Sequence, residues 1–434
     1  MIQEVVLGNF KSFRDATFPL SPLTLILGAN GSGKSNFFDA LRLLRYLSEG
    51  TSIRDAIEGH ATLDLSTPVV PEVRGGGENI PHFLSGSTVF RLEVTARSNG
   101  GLLTYSVSIN ASTYRVSAES LKSTNHPGNY VFSTEDDLPA PEPDDAAIPA
   151  RYYTNVPGRN PRRDFSPFNT ILSQFEGRRA HSNMNEDVAD TMRTELQAIR
   201  NLELRPEVLR QYSKKSVFDL GEHGENFAAI IWLLGAMASA RPEAGDGPTP
   251  RGLARERLDA LQAWLGELTP RGVQEVATID SPTDEVLFAV RETPFDELIN
   301  ARSLSDGTLR FAAFATALLF PPVFVGAPRR TLLIEELENG INPARLQLLV
   351  RLLETTTSED TFVQVAATTH SPGLLNWASD ETLRRALVVG WNDDKKCSRV
   401  VRIGDIPRFE EVVAKTPVGD LQAEGWLEFA VDEP

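Results

Sequence analysis

Leu23-Thr24-Leu25-Ile26-Leu27-Gly28-Ala29-Asn30-Gly31-Ser32-Gly33-Lys34-Ser35-Asn36-Phe37 is the stretch whose reading decides the architecture. Leu23, Leu25, Ile26 and Leu27 form a short apolar run, the pattern of a buried strand, and the run stops at Gly28. Phe37, Ala40, Leu41, Leu44 and Leu47 then recur at helical spacing. Between strand and helix, residues 28–35 match G-x-x-x-x-G-K-[ST]. Glycines in such a loop let successive backbone N–H groups turn inward, and the helix that follows adds its N-terminal partial charge, so the loop suits phosphate. On this reading Lys34 reaches the β- and γ-phosphates of a nucleotide and Ser35 ligates Mg²⁺, while Gly28, Asn30, Gly31, Ser32, Gly33 and Asn36 complete the cradle. ATP and Mg²⁺ are the expected cofactors.

A second apolar strand, Leu332-Leu333-Ile334, ends in Glu335 and Glu336. A buried parallel strand delivers its C-terminal residues to the sheet edge where a phosphate loop also lies. Glu335 is expected to hold Mg²⁺, directly or through water, and Glu336 to orient and deprotonate the attacking water. Alone, such a pair is more often a solvated turn. Residues 303–308 (SLSDGT) lead into a helix carrying Leu309, Phe311, Ala312 and Leu318. Ser305 and Gly307 there make either an anion site or simply the cap of that helix. His370, in TTHSP after another apolar run, is expected at the same edge as the acids, where it senses the γ-phosphate.

The 434 residues suggest two or three structural units, and 41% hydrophobic with 24% charged residues is ordinary globular composition. No apolar run approaches the roughly 18 residues of a membrane span, the N-terminus lacks a signal-peptide pattern, and the single Cys397 fits a reducing compartment, so a cytoplasmic protein is expected. A net charge of −16 argues against DNA binding by bulk electrostatics, leaving any such role to one face or to a partner.

Strands alternating with helices at both ends imply an α/β fold with a mixed or parallel sheet. Residues 1–60 and 285–434 are expected to form one discontinuous core. Phe90, Leu92 and Val94, then Leu103, Tyr105, Val107 and Ile109, alternate about an Asn99-Gly100 turn, giving an antiparallel segment over 85–122. Residues 61–86 read as a Pro- and Gly-rich loop, 123–164 as an acidic, Pro-rich linker, and 165–284 as a helical lobe in which Val188, Met192, Leu196 and Ile199 mark one helix. Arg159, Arg162, Arg163, Arg178 and Arg179, with Tyr152 and Tyr153, are either a nucleic-acid patch or solvated loop arginines. His60, His82, His126 and His181 form no ligand pair.

Taken in order, GANGSGKS (28–35), LSDGT (304–308), LLIEE (332–336) running on as ELENGINP (336–343), and TTHSP (368–372) resemble the ABC-type ATPase heads of the SMC and RecF class. More specifically they resemble compact ATPases with the overcoming-lysogenisation-defect type of head, common in bacterial anti-phage defence. NFKSF (9–13) and LGEHGEN (220–226) fit that class as well. The resemblance implies a P-loop fold with an antiparallel subdomain and an inserted helical lobe, closing as a head-to-head homodimer around two ATP molecules. Each nucleotide then meets the P-loop of one copy and Ser305 and Gly307 of the other; Glu336 is the catalytic carboxylate and His370 the switch histidine. Asn339 and Gly340 lie in the loop crossing the interface, and Lys11 and Ser12 also touch phosphate. Glu335 stands where Asp is usual, Leu337 where Pro is common and Asn342 where His is common; no Q-loop glutamine is assigned. About 270 residues separate the P-loop from LSDGT, without a long coiled coil, and the roughly 64 residues after His370 are few for a Toprim nuclease, so the head is expected to stand alone. The implied function is an ATP-hydrolysing head that gates a partner or DNA in anti-phage defence. The alternative is a nucleotide-holding scaffold that sequesters a toxin or nuclease encoded nearby. Higher-order assembly and DNA contact stay open, and no membrane association is expected.

Overall fold

The computed structural model describes residues 1–59, 72–98, 101–125, 130–134, 147–153, 161–175, 183–240, 249–320, 329–358 and 361–432. The chain divides into two compact units, residues 1–199 with 385–409 and 425–434, and residues 200–384 with 410–424.

The first unit begins with β1 (Ile2–Phe10), β2 (Phe13–Pro19), β3 (Leu23–Leu27), β4 (Val89–Ser98), β5 (Gly101–Asn110), β6 (Arg115–Ser123), β7 (Tyr130–Ser133), β8 (Ile148–Tyr152) and β9 (Arg162–Phe165). All but β3 join in one antiparallel sheet, ordered β2-β1-β4-β5-β6-β7-β8-β9. Its register follows from alternation: Phe90, Leu92, Val94 and Ala96 lie opposite Ile109, Val107, Tyr105 and Leu103, all of them buried. A slip of one residue turns the whole set to water.

Strands β7, β8 and β9 fall where composition predicts a linker over 123–164. They are four or five residues long beside Pro-rich sequence, too short for alternation to show. Pairing at the sheet edge, which buries Val131, Phe132, Ile148, Ala150 and Phe165, overrides composition. Residues 135–146 of that segment, the Asn99-Gly100 turn and residues 60–71 of the expected loop lie outside the described residues.

The helix Lys34–Ser48 buries Phe37, Phe38, Ala40, Leu41, Leu43, Leu44 and Leu47, so most of its circumference faces the core. The Phe37 ring stacks on Phe18 of β2 at 4.2 Å. On β6, the Glu119 carboxylate is wholly buried, accepting from the Tyr105 hydroxyl at 2.9 Å and from the N–H groups of Ile171 at 2.6 Å and Leu172 at 2.8 Å. Burial pushes its pKa up from 4.5 to about 7, although those donors pull the other way. Between these values the native state keeps a proton that the unfolded chain has released, so stability falls as pH rises from about 4.5 to about 7 and is level above. The difference in unfolding free energy between wild type and Glu119→Gln, from urea titrations at pH 5, 6, 7 and 8, is expected to change in that sense by on the order of 3 kcal/mol. A pH-independent difference contradicts it.

The second unit holds β10 (Ile199–Leu202), β11 (Ser213–Lys214), β12 (Val273–Asp280), β13 (Glu285–Glu292), β14 (Ile299–Asn300), β15 (Arg330–Ile334) and β16 (Val363–Thr368). Strands β15 and β16 run parallel, Leu332 opposite Val365 and Ile334 opposite Ala367, with β10 on the other side of β15. Every residue of β16, and β15 from Thr331 on, is buried, which is why both read as mostly apolar; the two polar side chains among them, Thr331 and Gln364, bond each other at 3.2 Å. A small antiparallel sheet, β11-β13-β12 with β14 on β13, packs against the helices Phe227–Ala238 and Pro250–Leu268.

The expected helical lobe over 165–284 is therefore mixed. Residues up to 199 belong to the first unit, Ile199 opens β10 rather than extending the helix Asn183–Gln197, and position 284 falls in the turn of the β12–β13 hairpin. A bulge between Val273 and Glu275 breaks the alternation that reveals β12.

The chain returns to the first unit as β17 (Leu387–Asn392) and β18 (Cys397–Arg402). β17 pairs parallel with β3, Leu387 opposite Ile26, and antiparallel with β18. The α/β class with parallel and antiparallel strands is as expected. Among the described residues no helix is long and apolar enough to cross a membrane.

Candidate functional site

The residues singled out by motif fall into two groups, one in each unit. In the first unit the chain leaves β3 at Leu27 and turns through residues 28–33 into the helix Lys34–Ser48. Gly28 takes φ +139°, and a Cβ there would strike the carbonyl oxygen of Val389. Gly33, at φ +110°, would bring a Cβ within 2.5 Å of the Ser12 hydroxyl and 2.9 Å of that of Ser398. Only glycine satisfies backbone and space together at these two positions. The Lys34 ammonium, on a side chain buried to 7% exposure, donates to the carbonyls of Gly28 at 2.7 Å and Ala29 at 2.8 Å. Asn30 and Gly31 are exposed, and Ser35 and Asn36 are half-buried. The Ser32 hydroxyl is buried with no hydrogen-bond partner, a state that asks for a bound polar group. The cradle thus fits a phosphate.

Ser398, from β18 and 366 residues further along the chain, donates its hydroxyl to the Ser32 carbonyl at 2.5 Å and its N–H to the Ser12 carbonyl at 2.7 Å. In a trans peptide C=O and N–H point opposite ways, so holding the Ser32 carbonyl also aims the Gly33 N–H, away from Ser398. No local pattern marks this serine in the sequence. Ser12 accepts from the Asn36 amide at 2.9 Å and so lies against the helix that follows the loop. Lys11 does not point there: its ammonium lies 2.5 Å from Asp39, a buried carboxylate that also takes Arg42 and sits 3.5 Å from Arg74. Burial, with Arg74 and Arg42 adding, holds the Lys11 ammonium below its ordinary pKa against the pull of Asp39.

In the second unit β15 and β16 end side by side, so Glu335 and Glu336 leave the same edge as Thr369 and His370. Glu335 is half-buried and Glu336 exposed. Glu336 has φ +51°, a left-handed backbone that a non-glycine residue rarely adopts. Its N–H is held by the Thr368 hydroxyl at 2.9 Å, and its carbonyl accepts from Asn339 at 2.8 Å. Strain of this kind persists where the surroundings over-determine it, commonly at functional turns. Leu337 is fully buried and donates its N–H to the Thr368 carbonyl at 3.0 Å, a bond that a proline at this position forfeits. The His370 N–H donates to one Glu338 oxygen at 2.7 Å, while the other oxygen is buried without a partner. Glu338 lies inside ELENGINP, yet its grip on His370 spans 32 residues and is invisible to motif reading.

Ser305 caps the helix Asp306–Leu319, its hydroxyl accepting from the Thr308 N–H at 3.1 Å, so the plainer of the two sequence readings is realised. Ser305 and Asp306 are nonetheless exposed. A Cβ on Gly307 would lie 2.8 Å from the Gly340 carbonyl, and Arg310 donates to the Asn339 carbonyl at 2.8 Å, so this helix start and the loop after Glu336 pack together. Arg210 braces the helix start through Asp306 at 2.6 Å and the Leu304 carbonyl at 2.9 Å. Of the basic candidates, Arg162 and Arg163 lie on β9, Arg163 over the Phe165 ring, whereas Arg159, Arg178 and Arg179, like His60, His126 and His181, lie outside the described residues.

A glycine-lined phosphate cradle after one buried strand, and an acid-ended parallel strand in the same chain, define a P-loop nucleotide-binding protein of the ATPase type. The chain belongs to the family described as "AAA domain, putative AbiEii toxin, Type IV TA system", whose model matches residues 23–376. This bears out the resemblance read from the motifs. Among solved structures the chain is similar to an Smc head bound to the C-terminal winged-helix domain of ScpA, at 13% identity over 92% of this chain and 97% of that one, with a TM-score of 0.45. It is also similar to the SMC head domain from Thermotoga maritima, at 16% identity over 92% and 98%, TM-score 0.43. An Smc head with an extended coiled coil, bound to the C-terminal domain of ScpA from Pyrococcus furiosus, matches at 14% identity over 95% and 99%, TM-score 0.45. No curated protein matches the chain.

Proposed function

We propose that the chain binds ATP with Mg²⁺ and hydrolyses it between two copies of itself, each nucleotide lying between the P-loop of one copy and Ser305 and Gly307 of the other. The observation that carries this reading is the loop 28–36, a cradle with an unpartnered buried hydroxyl at Ser32 and an ammonium folded over it. Membership of an AAA family supports it. Phosphoryl transfer leaves a protein little covalent work, so positioning and charge carry the catalysis. In this proposal Lys34 exchanges the Gly28 and Ala29 carbonyls for phosphate oxygens. Ser35 and Glu335 hold the metal, Glu335 directly or through water, Glu336 takes the proton of the attacking water, and His370, set by Glu338, senses the γ-phosphate. Magnesium held there would supply charge neutralisation to the transferring phosphoryl group. Among the described residues there is no group of three or more His, Cys, Asp or Glu fit to hold a metal, and magnesium needs none, because phosphates and water fill most of its sphere. Closure on ATP and opening on hydrolysis then gate a partner or DNA, in anti-phage defence.

Shared sites make a concentration-dependent enzyme. Specific ATPase activity is expected to rise with protein concentration, and Ser305→Arg to abolish it while ATP still binds. Mixing that variant with Lys34→Ala restores part of the activity, since a mixed pair keeps one intact site of two. Full activity of Ser305→Arg alone contradicts the shared site. The toxin named in the family's description favours a second reading, in which nucleotide is held with little turnover and the chain keeps a toxin or nuclease partner inactive. Tight ATP binding with negligible steady-state hydrolysis, alone and with candidate partners, selects that reading.

A further inference from the structure

Two residues after His370 the chain enters the helix Pro372–Leu375, capped by the Ser371 hydroxyl on the Leu374 N–H at 3.3 Å. That helix is four residues long, and a single turn does not hold itself in water. Its place comes from what packs on it. Leu374 and Leu375 are fully buried, and Gly373 lies against Leu346, which opens the helix Leu346–Thr356. A second neighbour is the helix Val418–Ala423, which buries Val418, Gly419 and Leu421.

This second contact is close. The Gly419 N–H donates to the Asn376 side-chain oxygen at 2.9 Å. A Cβ on Gly419 would strike the Pro372 carbonyl oxygen and lie 2.6 Å from that Asn376 oxygen. The backbone of Gly419 is not left-handed, so space alone demands glycine there. We propose that the helix Val418–Ala423 is a strut that fixes His370, with Gly419 and Asn376 as positioning residues for ATP turnover; this rests on the reading of His370 given above and extends it.

The segment is gripped at two points. Glu338 takes the N–H of His370 itself, and Gly419 meets the chain at Pro372. Sensing a γ-phosphate requires the imidazole within hydrogen-bond reach, and a shift of about 1 Å in what supports a reacting group is enough to cost rate. Asn376 and Gly419 act on backbone, so their effect on turnover passes through His370. The run of chain that follows β18, whose Ser398 bonds the Ser32 carbonyl, is the one that supplies Gly419. The P-loop and the His370 segment thus each receive a brace from the same C-terminal stretch.

Steady-state turnover and ATP affinity of the full chain with Mg²⁺ test this, each rate taken per ATP-binding site so that unfolded protein does not count. Gly419→Ala and Asn376→Leu are expected to lower kcat about tenfold with ATP affinity close to wild type. Asn376→Asp, which keeps the accepting oxygen, retains the wild-type rate, and the Asn376 pair carries the test where Gly419→Ala does not fold. In a His370→Ala background neither Gly419→Ala nor Asn376→Leu lowers kcat further, because residues that act through one group are not additive. Wild-type kcat for Asn376→Leu, equal loss for Asn376→Leu and Asn376→Asp, or a further tenfold loss on top of His370→Ala overturns the strut. His370→Ala alone is the separate arm: wild-type kcat in that variant sinks the reading of His370 as a γ-phosphate sensor instead.

Discussion

Glu336→Gln is expected to lower ATP turnover by about a hundredfold or more, with ATP affinity close to wild type. Glutamine keeps the volume and one acceptor oxygen but cannot take a proton from water, so the loss falls on the chemical step. The substitution leaves the local fold intact, because the left-handed turn at 336 is held by backbone bonds to Thr368 and Asn339 and the side chain itself is exposed. With hydrolysis blocked and binding retained, the ATP-bound pair accumulates, and light scattering with ATP and Mg²⁺ should report a dimer where wild type reports mostly monomer. Phosphate release at the wild-type rate from this variant removes Glu336 from the role of general base. Glu338, with one buried carboxylate oxygen unpartnered, is then the next residue to examine.

Lys34→Ala acts one step earlier and is expected to weaken ATP binding by about a hundredfold, taking turnover with it. The ammonium is nearly enclosed and makes two short bonds to loop carbonyls; each charge-assisted bond that it transfers to phosphate is worth about 1.5–3 kcal/mol. Loop shape does not depend on it, since Gly28, Gly33 and the Ser398 bond set the backbone. The variant therefore folds but loses protection by ligand. At ATP one hundred times the wild-type dissociation constant, wild type gains about 2.7 kcal/mol of stability and the variant about 0.4 kcal/mol. Thermal unfolding with and without ATP reads this difference, and equal protection of both proteins contradicts the role of Lys34. Arginine at 34 is not expected to substitute, because carbonyls at 2.7 and 2.8 Å leave no space for a planar fork.

What could be read in advance was local. The run from Leu23 to Phe37 switches from buried strand to helical period across a glycine-bearing loop, and each part carries its own signal. The acids after Ile334 and the histidine after Thr369 stand out for the same reason, as polar residues that follow short, mostly apolar strands. What stayed hidden acts through pairings distant in sequence. Ser398 is one serine in a charged hairpin until it meets Ser32, and Glu338 looks like a solvated acid until it meets His370. Strands β7 to β9 owe their existence to an edge that earlier strands supply, so their composition reads as linker. Lys11 was placed near the right loop but its ammonium belongs to Asp39, because a buried carboxylate demands a partner more strongly than the loop does.

The measurement that bears most directly on the whole account is a structure of Glu336→Gln determined with ATP and Mg²⁺. The prediction is two chains facing each other, with the Lys34 ammonium, the Ser35 hydroxyl and Glu335 of one chain around a single triphosphate, and Ser305 and Gly307 of the other chain closing over it. A nucleotide seated on residues 28–36 with Glu335 and His370 turned to bulk water, or bound somewhere else altogether, contradicts it.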